Sequence, residues 1–273
     1  MTNFKVLSEL RPDLNKHLQQ HLEVLLQKYP KEQVVGVFLQ GSQNYKVDTK
    51  FSDVDDKVIL LPSLDDLVSL NKAVSTTFVH DNNEHSDLKD VRNFVKELKK
   101  QNVNMLELLF TDYGLVNTQY SDLWDQLVSH REELAHYNES QALKTMLGMA
   151  SNEYHNLEKM QDARKEWVEK FGYDPKKLHH LLRVTELLQR YVKGEPYSEL
   201  LVSHNPEYLR QVKLGLYKLE DAKQLANETM QKAKDVVNNA TDLKPVNQQM
   251  DTLLNTFVKD LVFRFLQQQM FNY

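Results

Sequence analysis

The chain of 273 residues contains no cysteine. That absence excludes a disulfide scaffold, thiolate zinc ligands and a cysteine nucleophile. No run of 18 apolar residues occurs, so we expect no membrane-spanning segment. The first residues also lack the long apolar core of a signal peptide. Together these absences predict a cytoplasmic protein.

Positive charge is not in excess either. The chain has 34 Lys and Arg against 39 Asp and Glu, a net charge of −5, so no global field draws it to nucleic acid. Any RNA contact would need a local basic patch. No Walker-type phosphate loop is present. Glycine and proline are scarce, at seven each, which favours long regular elements, mainly helices.

The periodicity of apolar residues changes along the chain near residue 117. Before it, short apolar and β-branched runs alternate with helical stretches, which predicts an α+β fold with a mixed sheet. Beyond residue 117, every long segment has helical periodicity. We therefore predict two domains, an α+β domain at 1–117 and an all-helical domain at 118–273.

The most informative pattern is an apolar strand that ends in Gly41 and Ser42, followed by Asp53 and Asp55 before a second apolar strand. Side chains at i and i+2 of a strand share a face, so the two aspartates would lie side by side. Mg²⁺ commonly binds such carboxylates together with substrate phosphates. The Gly-Ser turn offers backbone N–H groups to phosphate where a helix could begin. The alternative is a polar turn with two solvated aspartates.

This Gly-Ser and Asp-x-Asp pattern resembles that of polymerase-β-like nucleotidyltransferases, and the resemblance implies a third carboxylate on a strand beside the Asp-x-Asp strand. Residues 76–90 read as a hairpin, and Asp87 in its second arm is our first choice. Asp90 and Glu107 are the alternatives. An acidic residue in a polar hairpin is otherwise simply solvated.

A second candidate group opens the helix that begins at Pro175. Lys176, His180 and Arg183 are spaced i, i+4 and i+7, so they share one face of the helix and could together bind a triphosphate. The competing interpretation is that His179 and His180 are core or surface histidines.

The order of these motifs resembles the polymerase-β-like nucleotidyltransferase superfamily, and most closely the RNA-ligase-associated or YcgL-like predicted nucleotidyltransferases. The matching positions run in order from the Gly-Ser turn to the late helix: Gly41-Ser42, Ser52-Asp53-Val54-Asp55, Phe94, Glu107-Leu108-Leu109 and His180-Leu181-Leu182-Arg183. The resemblance implies that Asp53 and Asp55 hold metal and that Gly41 and Ser42 bind phosphate. It implies phosphate contact for His180 and Arg183. Where the family usually has an aromatic-Gly pair, this chain has Tyr45 and Lys46, and Lys46 could contact phosphate.

These observations lead to one main hypothesis and two rivals. The main hypothesis is that 1–117 is a catalytic domain that transfers a nucleotide from an NTP to an acceptor hydroxyl. The reaction would use one or two Mg²⁺ ions, which would be bound by Asp53, Asp55 and Asp87. The acceptor could be an RNA end, a protein or a small molecule. The rivals are a catalytically inactive nucleotide- or RNA-binding module and a toxin-type enzyme that nucleotidylates a protein. The apolar C-terminal run, 261–271, suits either a core or a homo-oligomer interface.

Overall fold

A computed structural model describes residues 3–49, 52–161 and 164–271, with strands and helices interleaved up to residue 117 and helices alone beyond it. The predicted α+β class is confirmed. Contacts between Cα atoms divide the chain into two units. Unit 1 comprises residues 1–44, 52–137 and 246–273, and unit 2 comprises residues 45–51 and 138–245. The last helix thus clusters with the sheet, while the predicted domain boundary near residue 117 stays a prediction.

The described strands of unit 1 form one mixed sheet in the order β1-β6-β2-β3-β5-β4. Neighbours pair antiparallel except β3 and β5, which are parallel. The strands are β1 Phe4–Val6, β2 Val34–Gln40, β3 Asp55–Leu60, β4 Ser75–Val79, β5 His85–Asp90 and β6 Gly114–Asn117.

Helices surround the sheet in unit 1 and make up nearly all of unit 2. Those of unit 1 are α1 Pro12–Leu25, α2 Leu64–Val68, α3 Val91–Lys99, α4 Val103–Leu106, α5 Ser121–Ser129, α6 Arg131–Ala135 and α13 Gln248–Phe271. Those of unit 2 are α7 Glu139–His155, α8 Lys165–Phe171, α9 Pro175–Tyr191, α10 Tyr197–Leu200, α11 Pro206–Lys213 and α12 Leu219–Asn238. None of the described helices is both long and apolar enough to cross a membrane.

Apolar side chains on both faces of the sheet explain why helices cover it. The leucine stripe of α1, from Leu14 to Leu25, packs on one face against Val37 and Leu39 of β2. Phe38 points to the other face, where its ring stacks on that of Trp124 with 4.2 Å between centroids. Strand β2 is therefore buried on both sides, as its continuous apolar run predicted.

In unit 2, helix α9 is central and packs against α7, α11 and α12. Pro175 occupies its first turn, and the Asp174 carboxylate caps it by accepting the Lys176 backbone N–H at 2.9 Å. The start of the helix at Pro175 matches the sequence prediction, and an aspartate is among the residues preferred as a helix N-cap.

The structure differs from the sequence predictions in several element boundaries. The apolar periodicity predicts one helix over 13–29 and another over 140–171, whereas α1 ends at Leu25 and the second stretch is divided between α7 and α8. Strands β1 and β6 were not predicted. They are only three and four residues long, too short for a periodic pattern.

Candidate active site

The Gly-Ser turn and the Asp-x-Asp motif lie at the same end of two paired strands. Gln40, the last residue of β2, is the antiparallel partner of Asp55, the first residue of β3. Gly41 and Ser42 directly follow Gln40 and therefore lie close to Asp55. Gly41 has a φ of +91°, a conformation that side chains disfavour, which explains the glycine.

Side chains hold the turn against its surroundings within unit 1. The Asn44 side-chain amide donates to the Leu39 carbonyl at 2.9 Å, and the Thr111 hydroxyl donates to the Asn44 amide oxygen at 2.8 Å. The Gln43 side chain donates to the Asp53 carbonyl at 2.8 Å, which ties the turn to the aspartate loop. The expectation that a helix could begin here is wrong: residues 41–46 form a bend and turns, and the first helix after them is α2.

The two motif aspartates differ in their surroundings. Asp53 is exposed in the loop before β3. Asp55 Oδ1 accepts the His85 backbone N–H at 2.9 Å and lies 3.3 Å from His85 Nδ1. In the described part of the chain, Asp55 Oδ2 and both Asp53 carboxylate oxygens make no hydrogen bond. They are open to a ligand.

Asp87 lies on the same face of the sheet as Asp55, one strand away. It is the register partner of Lys57 in the parallel pair of β3 and β5, and Lys57 follows Asp55 by two residues. Its two oxygens lie 3.3 Å from Lys57 Nζ and 3.1 Å from Lys89 Nζ. Lys57 Nζ also donates to the Gln40 side chain, and burial lowers the pKa of this lysine.

The metal roles of the three aspartates therefore stay predictions. Across residues 3–49, 52–161 and 164–271, none of the groups of three ligand atoms within 4.8 Å includes Asp53, Asp55 or Asp87. Of the alternatives, Asp90 caps α3 and forms paired hydrogen bonds with the Arg92 guanidinium, which gives it a structural role. Glu107 is buried in a short 3-10 helix.

The remaining predicted nucleotide-binding residues lie in unit 2. Lys46 and Lys176 are exposed, and His180 is half-buried. The Arg183 side chain is buried, with its guanidinium carbon 3.7 Å from the centroid of the Tyr45 ring. Burial lowers the pKa of His180 well below its usual value. Their phosphate contacts stay predictions.

His179 follows the competing interpretation. It is buried, its Nδ1 donates to the Leu209 carbonyl at 3.0 Å, and burial lowers its pKa to about 3. It is a core histidine.

Two groups near the motif were missed from the sequence. One is His85 at the start of β5, whose backbone N–H binds the Asp55 carboxylate. His85 is 30 residues from Asp55 in sequence, and the pairing of β5 with β3 brings the two together. The other is a buried network of His21, Asp56 and Glu84 on the opposite face of the sheet. The i, i+4 spacing of His17 and His21 on α1 was the only sequence signal for it.

With this geometry in place, comparisons with known proteins define the class. The chain is a polymerase-β-like nucleotidyltransferase. The model of the RlaP family, described as the RNA repair pathway DNA polymerase beta family, matches residues 14–255, and the chain belongs to this family.

Solved structures show weaker similarity, and no curated protein matches. A nucleotidyltransferase-like protein from Exiguobacterium sibiricum is 11% identical with a TM-score of 0.30, over 82% of this chain and 74% of that one. The CdnC:HORMA-deltaN complex from Escherichia coli gives 11% identity and a TM-score of 0.22, over 96% and 93%.

Proposed function

We propose that the protein transfers a nucleotide from an NTP to an acceptor hydroxyl, with Mg²⁺ held by Asp53 and Asp55. The observation that carries the proposal is the pairing of Gln40 with Asp55, which puts the Gly41-Ser42 turn beside the aspartates. A phosphate-binding turn next to two carboxylates is the arrangement that nucleotidyl transfer requires.

The donor set suits Mg²⁺. Mg²⁺ prefers oxygen ligands and usually binds through one or two carboxylates together with substrate phosphates. Asp53 is exposed, and one oxygen of Asp55 makes no hydrogen bond to any residue that the structure describes. When bound, the metal would supply charge neutralisation for the pyrophosphate. The chain itself supplies orientation: His85 fixes one Asp55 oxygen, and the turn can present backbone N–H groups to phosphate.

The acceptor we favour is an RNA end. The description of the family as part of an RNA repair pathway supports it. A protein hydroxyl, as in the toxin-type hypothesis, or a small molecule would use the same site.

One observation favours a nucleotide-binding module without catalysis. Lys57 and Lys89 both pair with Asp87, so its charge is already compensated. If Asp87 does not reach the metal, the third carboxylate is missing.

The test is release of pyrophosphate from each γ-labelled NTP with Mg²⁺, with and without an RNA pool. The variants are Asp53→Asn, Asp55→Asn and Asp87→Asn, and Asp81→Asn at the exposed hairpin tip is the matched control. We expect RNA-dependent release by wild type and Asp81→Asn that falls by at least about 100-fold in Asp53→Asn and Asp55→Asn. Labelling of protein instead would favour the toxin-type hypothesis. NTP binding without release would establish the binding module.

A further inference from the structure

Behind the Asp-x-Asp motif, unit 1 contains a cluster of histidines and carboxylates that the proposed reaction does not use. His17 and His21 lie one turn apart on α1, and Glu84 lies at the start of the β5 arm of the hairpin. Glu84 Oε2 is 2.9 Å from His17 Nδ1 and 2.9 Å from His21 Nε2. One atom of each residue falls within 4.8 Å of the other two.

From this geometry we propose a second metal site, in which His17 Nδ1, His21 Nε2 and a Glu84 oxygen bind Zn²⁺. Two imidazoles and one carboxylate are a ligand set typical of zinc, whereas Mg²⁺ prefers oxygen alone. The His17 side chain is 39% exposed, so water can complete the coordination.

The hydrogen bonds of His21 support this site. Its Nδ1 lies 2.5 Å from Asp56 Oδ2, while its Nε2 faces Glu84. A neutral imidazole donates from one nitrogen only, so the other contact needs a second proton or a metal. Donation from Nδ1 to Asp56 leaves the Nε2 lone pair for the metal, the usual carboxylate–histidine–metal arrangement.

The buried carboxylates provide an independent observation. Asp56 is 0% exposed, and its Oδ1 has no hydrogen-bond partner within the described chain. Glu84 is also buried. Two buried carboxylates are costly without nearby positive charge, and one divalent ion would balance both.

A second possible group, His21 with Asp56 and His80, fits less well. The His21 and His80 rings are stacked, with centroids 3.8 Å apart and planes 13° apart. Imidazole binds a metal in its ring plane, and parallel planes do not meet at one ion. The His17 and His21 planes are instead 81° apart. His80 Nε2 bonds to Ser86 Oγ at 2.7 Å and belongs to the surrounding shell.

The site would couple α1 to the motif that carries the candidate catalytic aspartates. Glu84 Oε1 accepts the backbone N–H of Val54, the residue between Asp53 and Asp55, at 3.2 Å. Zn²⁺ on Glu84 would therefore hold the motif backbone from the opposite face of the sheet.

The test is calorimetric titration of chelator-stripped, full-length protein with Zn²⁺ in excess Mg²⁺. We expect one Zn²⁺ per chain, and visible absorption bands of tetrahedral type with Co²⁺ in its place. His17→Ala should weaken binding by at least about 100-fold and Asp56→Asn by roughly 10- to 100-fold. His130→Ala is the matched control, since His130 is also 39% exposed and lies 3.4 Å from one glutamate.

Two further measurements make the result decisive. Asp55→Asn should bind Zn²⁺ as wild type does, which separates this site from the candidate active site. Zn²⁺ should raise the Tm of wild type but not of His17→Ala, and Mg²⁺ should not reproduce the shift. A folded, stripped protein that binds no stoichiometric Zn²⁺, or a His17→Ala variant that binds it normally, would overturn the proposal.

Discussion

Gly41 shows how one residue shapes the candidate phosphate turn. A Cβ added there would meet no heavy atom of the described residues within 4 Å, so the φ of +91° is the reason for glycine at this position. Gly41→Ala should therefore lower the free energy of unfolding by about 1–2 kcal/mol. Because the backbone N–H groups would move to relieve this strain, NTP binding should weaken too. Urea denaturation and calorimetric titration with NTP would measure the two effects.

Gly148 provides the matched control. It also has open space around its Cβ position, but it lies in helix α7. Gly148→Ala should raise the free energy of unfolding by roughly 0.5–1 kcal/mol. If both substitutions changed stability in the same direction, backbone conformation would not be the reason for Gly41.

His179 makes a pH prediction at the same scale. Its pKa is lowered to about 3 in the folded chain, from 6.5 for an unperturbed histidine. Between these values the unfolded chain binds a proton that the folded chain does not, so stability falls as pH falls below 6.5 and is unaffected above it. The loss from this residue should reach about 2 kcal/mol by pH 5.

His179→Gln should remove that part of the pH dependence, since a glutamine amide can donate to the Leu209 carbonyl without titrating. Hydrogen exchange of α9 peptides at pH 7 and pH 5 would measure this pH dependence of stability. His130→Gln serves as the control, because the His130 side chain is 39% exposed. Equal pH dependence in wild type and His179→Gln would contradict the assignment.

At the scale of elements, helix α9 depends on its cap. Buried Asp174 caps the Lys176 N–H and accepts from the Arg164 guanidinium at 2.8 Å. Asp174→Ala should cost about 1–2 kcal/mol from the lost cap alone, with a further loss because Arg164 is left unpaired. Asp174→Asn keeps a capping oxygen and should cost less. Urea unfolding of the two variants would rank them, and an equal cost would show that the charge pair, not the cap, dominates.

Elements with a strong local pattern were predictable from sequence. The leucine stripe gave α1, and the apolar run of β2 gave a strand buried on both faces. Side chains alternate along a strand, which predicts Asp56 on the face opposite Asp55, and its hydrogen bond to His21 on α1 confirms this. The motif aspartates could be paired with the Gly-Ser turn because both flank these strands.

Long-range pairing was not readable in the same way. The contact of His85 with Asp55 depends on the parallel pairing of β3 with β5, which no local pattern encodes. The ion pairs of Asp87 depend on the same register. The His21, Asp56 and Glu84 network joins three separate elements, so its members appear in sequence as isolated polar residues.

At the scale of the whole molecule, helix α13 is the last element in sequence yet packs in the sheet unit against α3 and α5. Phe257 is 4% exposed, and its ring centroid lies 6.5 Å from that of Trp124. Phe257→Ala should therefore cost about 3–5 kcal/mol. The loss should appear in unit 1, as faster hydrogen exchange in α3 and α5, while α9 in unit 2 keeps its protection.

Phe263 on the same helix is the control, since it is 63% exposed and Phe263→Ala removes little buried surface. The pair of variants also tests the predicted division at residue 117. If 118–273 folded as one cooperative domain, Phe257→Ala would weaken α9 as much as α5. Faster hydrogen exchange in α3 and α5 alone would instead mean that α13 folds together with the sheet of unit 1. In that case unit 1 requires residues on both sides of the helical unit in order to fold.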